Sequence, residues 1–228
     1  MKNTRLIIFF VLIACIFPFN GNAASRYYWQ KQCRKLMEEN PAKITISYNL
    51  GKLQYDNSLS PEQIKELSAK STALPKETTY MGLTLLNLYN NIKVYDSGAV
   101  ELGDGYFCFY PEDITLEIGY ENPTVYLANS MDENSCVYKK TLRHEQQHVD
   151  ISYIFLMSYI EALQEQLPEI VRKTGPILSV SATPEKRLFD IYNEQTSAIF
   201  EEYLAVRQKR SALMDTAENY DRESKLCR

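Results

Sequence analysis

The chain has only two histidines in 228 residues, and they stand four apart in His144-Glu145-Gln146-Gln147-His148. On an α-helix a step of four residues turns about 400°, so both imidazoles leave one face a single turn apart. Two neutral ring nitrogens placed this way can share one tetrahedral metal ion at about 2.0–2.1 Å. Glu145 stands beside them, where it can take a proton from water at the ion without binding the ion itself. Chance would give this spacing together with a following Glu on the order of once in a thousand such chains. Ordinary helix packing explains a lone histidine well and this pair poorly.

The N-terminus predicts a compartment. Lys2 and Arg5 precede the apolar run Leu6 to Phe17, and Gly21-Asn22-Ala23 supplies the small residues a signal peptidase reads. Residues 1–23 therefore read as a secretory signal peptide, too short for a membrane span, with 24–228 as one domain. The alternative is a lipid anchor at Cys15, since Leu12-Ile13-Ala14-Cys15 fits a lipobox, but the apolar residues that follow suit a mature lipoprotein start poorly. Without Lys2 and Arg5, 23 basic side chains face 29 acidic ones, a formal −6. That balance disfavours nucleic acid and anionic lipid as partners. Cys33, Cys108, Cys136 and Cys227 remain, an even number in an exported chain, and predict two disulfides of undetermined pairing. No Cys-x-x-Cys pair suggests a thiolate metal site.

Two halves of different pattern follow. Ile44, Ile46 and Tyr48 alternate with polar residues as a half-buried strand does, and Leu50-Gly51-Lys52 turns into Leu53-Gln54-Tyr55. Ser60 and Pro61 open a short helix to Lys70. Further strands are expected within Thr79–Tyr95, Gly105–Tyr110, Ile114–Tyr120 and Thr124–Ala128, with turns at Gly103-Asp104-Gly105 and Glu121-Asn122-Pro123. Beyond them Ser130-Met131-Asp132-Glu133 fits a capping box for a helix to about Gln166, ended by Pro168 and Thr174-Gly175-Pro176. Its expected inward stripe is His148, Ile151, Phe155, Tyr159 and Ala162, edged by Leu142, Glu145 and Val149. Asp150, two residues past His148, faces away. Thr183-Pro184 starts a second helix to about Met214. The fold class expected is α+β: an antiparallel sheet packed on a C-terminal pair of long antiparallel helices that carry the motif.

The His-Glu-x-x-His segment, and the order of strands before a metal-binding helix before a second helix, resemble zincin metallopeptidases. The resemblance covers five residues and an arrangement of elements. It implies a Zn2+ ion bound by His144 and His148, with Glu145 as general base, acting on protein or peptide substrates. A catalytic zinc site usually has a third protein ligand. The metzincin branch uses a third histidine, and none follows His148. The gluzincin branch uses a glutamate from a later helix, which makes Glu194, Glu201 and Glu202 the candidates. Glu202 falls in the expected inward stripe of the second helix, and its level along an antiparallel pair matches the motif. Asn193-Glu194 resembles the start of the thermolysin-type ligand motif, although Ala198 stands where an aspartate completes it.

An exported zinc-dependent peptidase is the function expected from these residues. The alternative is a degenerate relative that binds zinc or a partner in the envelope without turnover. Glu145 and His148 also read as Glu-x-x-His, but a di-iron site needs that motif twice, and no third histidine exists. Seventeen tyrosines offer more oxyanion donors than the sequence can choose among.

Overall fold

The β-branched and aromatic residues between Ile114 and Leu127 build the strand around which the rest of the sheet assembles. The computed structural model describes residues 21–69, 80–184 and 187–227. In chain order the elements are α1 (Gly21–Glu39), β1 (Lys43–Asn49), β2 (Gln54–Asp56), α2 (Pro61–Ala69), β3 (Gly82–Asp96), β4 (Val100–Gly103), β5 (Tyr106–Phe109), β6 (Pro111–Leu127), α3 (Cys136–Thr174), β7 (Ile177–Ser179), α4 (Leu188–Ala212) and α5 (Ala217–Ser224). Most of the expected leader, with Cys15, lies outside the described residues. Among those described, no helix is long and apolar enough to cross a membrane.

The architecture is α+β, but the main sheet is mixed rather than antiparallel. β1 and β2 lie end to end along one edge of β6, both parallel to it, and β3 runs antiparallel along the other edge. Gly51 makes the jog between β1 and β2. Its φ is +71°, and a Cβ there would meet Pro123 Cδ at 2.5 Å and the Tyr120 carbonyl oxygen at 2.7 Å. The segment therefore reads as a hairpin turn in sequence, yet the chain continues in the same direction. A second, antiparallel sheet of β4, β5 and β7 was not foreseen, nor was α1. The disulfide Cys33–Cys108 pins α1 to that small sheet.

β6 merges two strands expected to be separate. Between Leu85 and Asn87 β3 advances two residues while β6 advances three, from Thr124 to Glu121, and Asn122 takes φ 47°. The expected turn at Glu121-Asn122-Pro123 is thus a bulge. One extra residue reverses the side-chain phase. Ile114, Leu116, Ile118 and Tyr120 are buried before it, and Val125 and Leu127 after it, so both stretches present apolar side chains to one helical layer.

That layer is α3. Its N-cap is Ser135, whose Oγ accepts the Tyr138 N–H, so the Ser130 capping box does not start the helix. Pro168 does not end it either. The helix runs to Gly175, whose φ of 65° and N–H bond to the Val171 carbonyl close the last turn. Its buried line is Glu145, Val149, Ser152, Leu156, Ile160, Leu163, Leu167 and Val171, about one residue round from the stripe expected. Apolar contacts on both sides of Pro168 hold the helix where local preference would break it. α4 begins at Leu188, where Asp190 accepts the Arg187 N–H, rather than at Thr183-Pro184. It lies against α3 with partners in opposite order: Thr174 meets Gln195, Ser152 meets Tyr203 and Arg207, and His148 meets Ser211.

Candidate metal centre

The third and fourth turns of α3 carry the histidine pair into the gap between β3 and the end of α4. His144 and Glu145 are buried, and His148 is nearly so. As the helical spacing requires, both imidazoles leave one face, with ring centroids 4.9 Å apart.

The residue that joins them is Asp215, in the short link between α4 and α5. His144 Nε2, His148 Nε2 and Asp215 Oδ1 form a triangle with 3.2 Å along each side. Tetrahedral donors at about 2.0–2.1 Å from one ion sit about 3.3–3.4 Å from each other, so this triangle is close to the size an ion needs. Three ligand atoms from two helical turns and one loop meet within 4.8 Å of one another, and this group could hold a metal ion.

The outer nitrogens agree with that assignment. His144 Nδ1 faces Glu223 Oε2 at 3.2 Å, and His148 Nδ1 faces Ser211 Oγ at 2.8 Å. A carboxylate only accepts, so Glu223 draws the His144 proton to Nδ1 and leaves the Nε2 lone pair for the centre. Ser211 can serve His148 in the same way. Two imine lone pairs and a carboxylate then converge with no donor among them, which favours a cation. Without one, His144 lies between Asp215 and Glu223, and a proton on each ring nitrogen would let it donate to both. Burial opposes that charge, but the hydrogen bond to Asp215 and the carboxylates of Glu145, Glu223 and Asp215 raise the imidazole above its ordinary value. Asp215 is itself desolvated, yet hydrogen bonds from His144, His148 and Tyr220 hold it well below the usual carboxylate range. Metal binding at His144 competes with its protonation.

Glu145 points to the β3 side. Its Oε2 accepts the Thr84 hydroxyl at 2.8 Å, and burial raises its affinity for a proton against the pull of both histidines and that bond. Gly82 makes the room: a Cβ there would lie 2.6 Å from Glu145 Oε1 and 2.7 Å from Thr141 Cγ2. Tyr220 stacks on His144 at 5.1 Å between ring centroids and donates its hydroxyl to Asp215 Oδ1 at 3.0 Å.

The expected third ligands are not part of this group. Glu201 and Glu202 are exposed on α4, and Glu194 is exposed near its start. The buried line of α4 is Leu188, Tyr192, Thr196 and Tyr203, which puts Glu202 beside it rather than on it. Asp150 is exposed on α3, as its phase predicts. Sequence reading missed Asp215, Glu223, Ser211 and Tyr220. The disulfide Cys136–Cys227 is the signal that would have pointed there, because it ties the last turn of the described chain to the start of the motif helix.

A cavity of about 690 Å³ opens onto Glu145, His148 and Asp215. Its walls are the six consecutive residues Gly82–Asn87 of β3, with Ser152, Arg207 and Gln208 from the two helices. Residues of both parities line it, as they do along the edge of a strand. Comparison with protein-family models, with curated proteins and with solved structures found no match for this chain.

Proposed function

We propose that this chain is an exported zinc-dependent peptidase. The observation that carries the reading is the 3.2 Å triangle of His144, His148 and Asp215 beside a buried Glu145 at the mouth of a cavity. Asp215 replaces the glutamate expected as third ligand, so the site resembles the zincins in motif and departs from the gluzincins in its ligand set. Two imidazoles and one carboxylate suit zinc, and Glu223 and Ser211 orient the rings. A divalent ion in this group supplies Lewis acidity toward a peptide carbonyl and lowers the pKa of water.

The chain's own residues do the rest. Glu145, held by Thr84 and walled by Gly82, accepts the proton of the attacking water and returns it to the leaving amine. Burial raises its proton affinity, which helps it return that proton. An extended peptide pairs its main chain with the edge of β3, which carries no strand opposite β6 among the described residues. The segment Thr124–Ala128 lies inside the sheet between β2 and β3 and has no edge to offer. The two disulfides fit an oxidising compartment.

The test is zinc content by mass spectrometry together with cleavage of unfolded casein. Wild type should hold one zinc and cleave. Glu145→Gln should keep the zinc and lose about 10²–10⁴-fold in rate, the span typical of a general base. Asp215→Ala should lose both. Zinc bound with no cleavage by wild type would instead favour a binding protein of the envelope, and unchanged turnover in Glu145→Gln would end the mechanism.

A further inference from the structure

Arg207 has no acidic partner among the described residues, and it faces the cavity. It sits on α4 one turn before Ser211, the residue that holds His148. Its one hydrogen bond among the described residues is long, from Nη1 to Ser152 Oγ at 3.5 Å. Ser152 donates its own proton to the His148 carbonyl at 2.8 Å, so its oxygen has only a lone pair to offer. Among the described residues the buried Arg207 Nε atom has no partner, and the guanidinium forms no ion pair with a carboxylate. A guanidinium carries five N–H donors in a planar fork that matches a carboxylate bidentately. A half-buried cation whose donors are this poorly used is costly unless an anion completes it.

The geometry points to Arg207 as the anchor for a carboxylate of the substrate, which makes it a specificity-determining residue. This rests on the peptidase reading for its substrate class. Four residues of α4 rise about 6 Å, and an extended peptide advances about 3.3–3.6 Å per residue. The anchored carboxylate therefore lies within about two residues of the carbonyl under attack. Two sources fit: the free C-terminus of a peptide cut near its end, or an acidic side chain beside the scissile bond. Gln208, also in the wall, offers a neutral amide to the same group.

Binding to the metal-free full chain tests this without relying on turnover. The probes are acetyl-Ala-Ala-Ala with a free carboxylate, the same peptide as its amide, and acetyl-Ala-Glu-Ala amide. Affinity is followed by calorimetry, and the Arg207 Nε–H resonance by NMR. At least one carboxylate peptide should bind about tenfold or more tighter than the neutral amide and shift that resonance. The free-acid and glutamate peptides separate the two sources. In Arg207→Gln the preference should fall to within about twofold, and Arg207→Lys should restore part of it. If neither carboxylate peptide outbinds the amide, or the preference survives in Arg207→Gln, the assignment is overturned. Should Arg207→Gln fail to fold, the wild-type resonance and the peptide comparison decide alone. Carboxylate preference without any hydrolysis would remove the peptidase and keep the anchor. Hydrolysis without that preference would do the reverse.

Discussion

The two halves of α3 share one buried line but are held in place by different forces. From Leu156 onward the line is Leu156, Ile160, Leu163, Leu167 and Val171, packed against β6 and α4 in the main apolar cluster. Before that point it holds His144, Glu145, Val149 and Ser152; Val149 packs on Val125 and Leu127, and around it His144, Glu145 and His148 hydrogen-bond to residues far away in sequence, Thr84, Ser211, Asp215 and Glu223. The core half needs only apolar side chains of about the right size at the right period. The site half needs particular atoms delivered by three other segments. A continuous helix joins the two, so the rigidity of the packed end fixes the register of the polar end.

This contrast can be broken by experiment. Leu163→Ala in the core half should cost about 2–5 kcal/mol in urea unfolding, while the folded fraction binds zinc within about twofold of wild type. A large loss of zinc affinity in the folded protein would show the halves to be coupled more tightly than described. Glu223→Gln in the site half should behave oppositely: zinc affinity falls about 10–100-fold, with little change in unfolding of the metal-free chain. Competition with a chelator measures that fall, and affinity within twofold of wild type would deny Glu223 its orienting role. The smallest effect belongs to Tyr192 on α4, which packs into the core half. Its hydroxyl is buried without a partner among the described residues, and burial pushes its pKa up to about 12. Tyr192→Phe should leave stability unchanged or raise it by no more than about 1 kcal/mol. A loss greater than that would reveal a partner for the hydroxyl.

That Asp215 rather than Glu202 stands beside the histidines has a simple origin. With α3 ending near Gln166 and α4 starting at Pro184, the level opposite the motif falls at Glu202. The helices in fact end at Thr174 and begin at Leu188. His148 lies 26 residues before Thr174, and the position 26 residues after Leu188 is Met214, next to Asp215. The logic of an antiparallel pair was sound, and the helix boundaries were not. Pro168 reads locally as a stop, yet Leu163, Leu167 and Val171 carry the helix past it because burying that line outweighs one missing hydrogen bond. The bulge at Asn122 was misread for a related reason. Asn-Pro has the chemistry of a turn, and only pairing with β3 along its whole length makes it one extra residue in a continuous strand.

Some features needed no partner to be recognised. The spacing of His144, Glu145 and His148, the cap of α2 at Ser60 and the even set of cysteines depend on intervals of a few residues or on counting, and those are properties of the chain alone. Asp215, Glu223, Ser211 and Thr84 lie between 61 and 79 residues from the motif residues they touch. Nothing in their local sequence distinguishes them from the chain's exposed acids and hydroxyls. Their selection waited for the sheet, the helix pair and the Cys136–Cys227 bond to close, because proximity across such distances is set by packing and topology rather than by neighbouring residues.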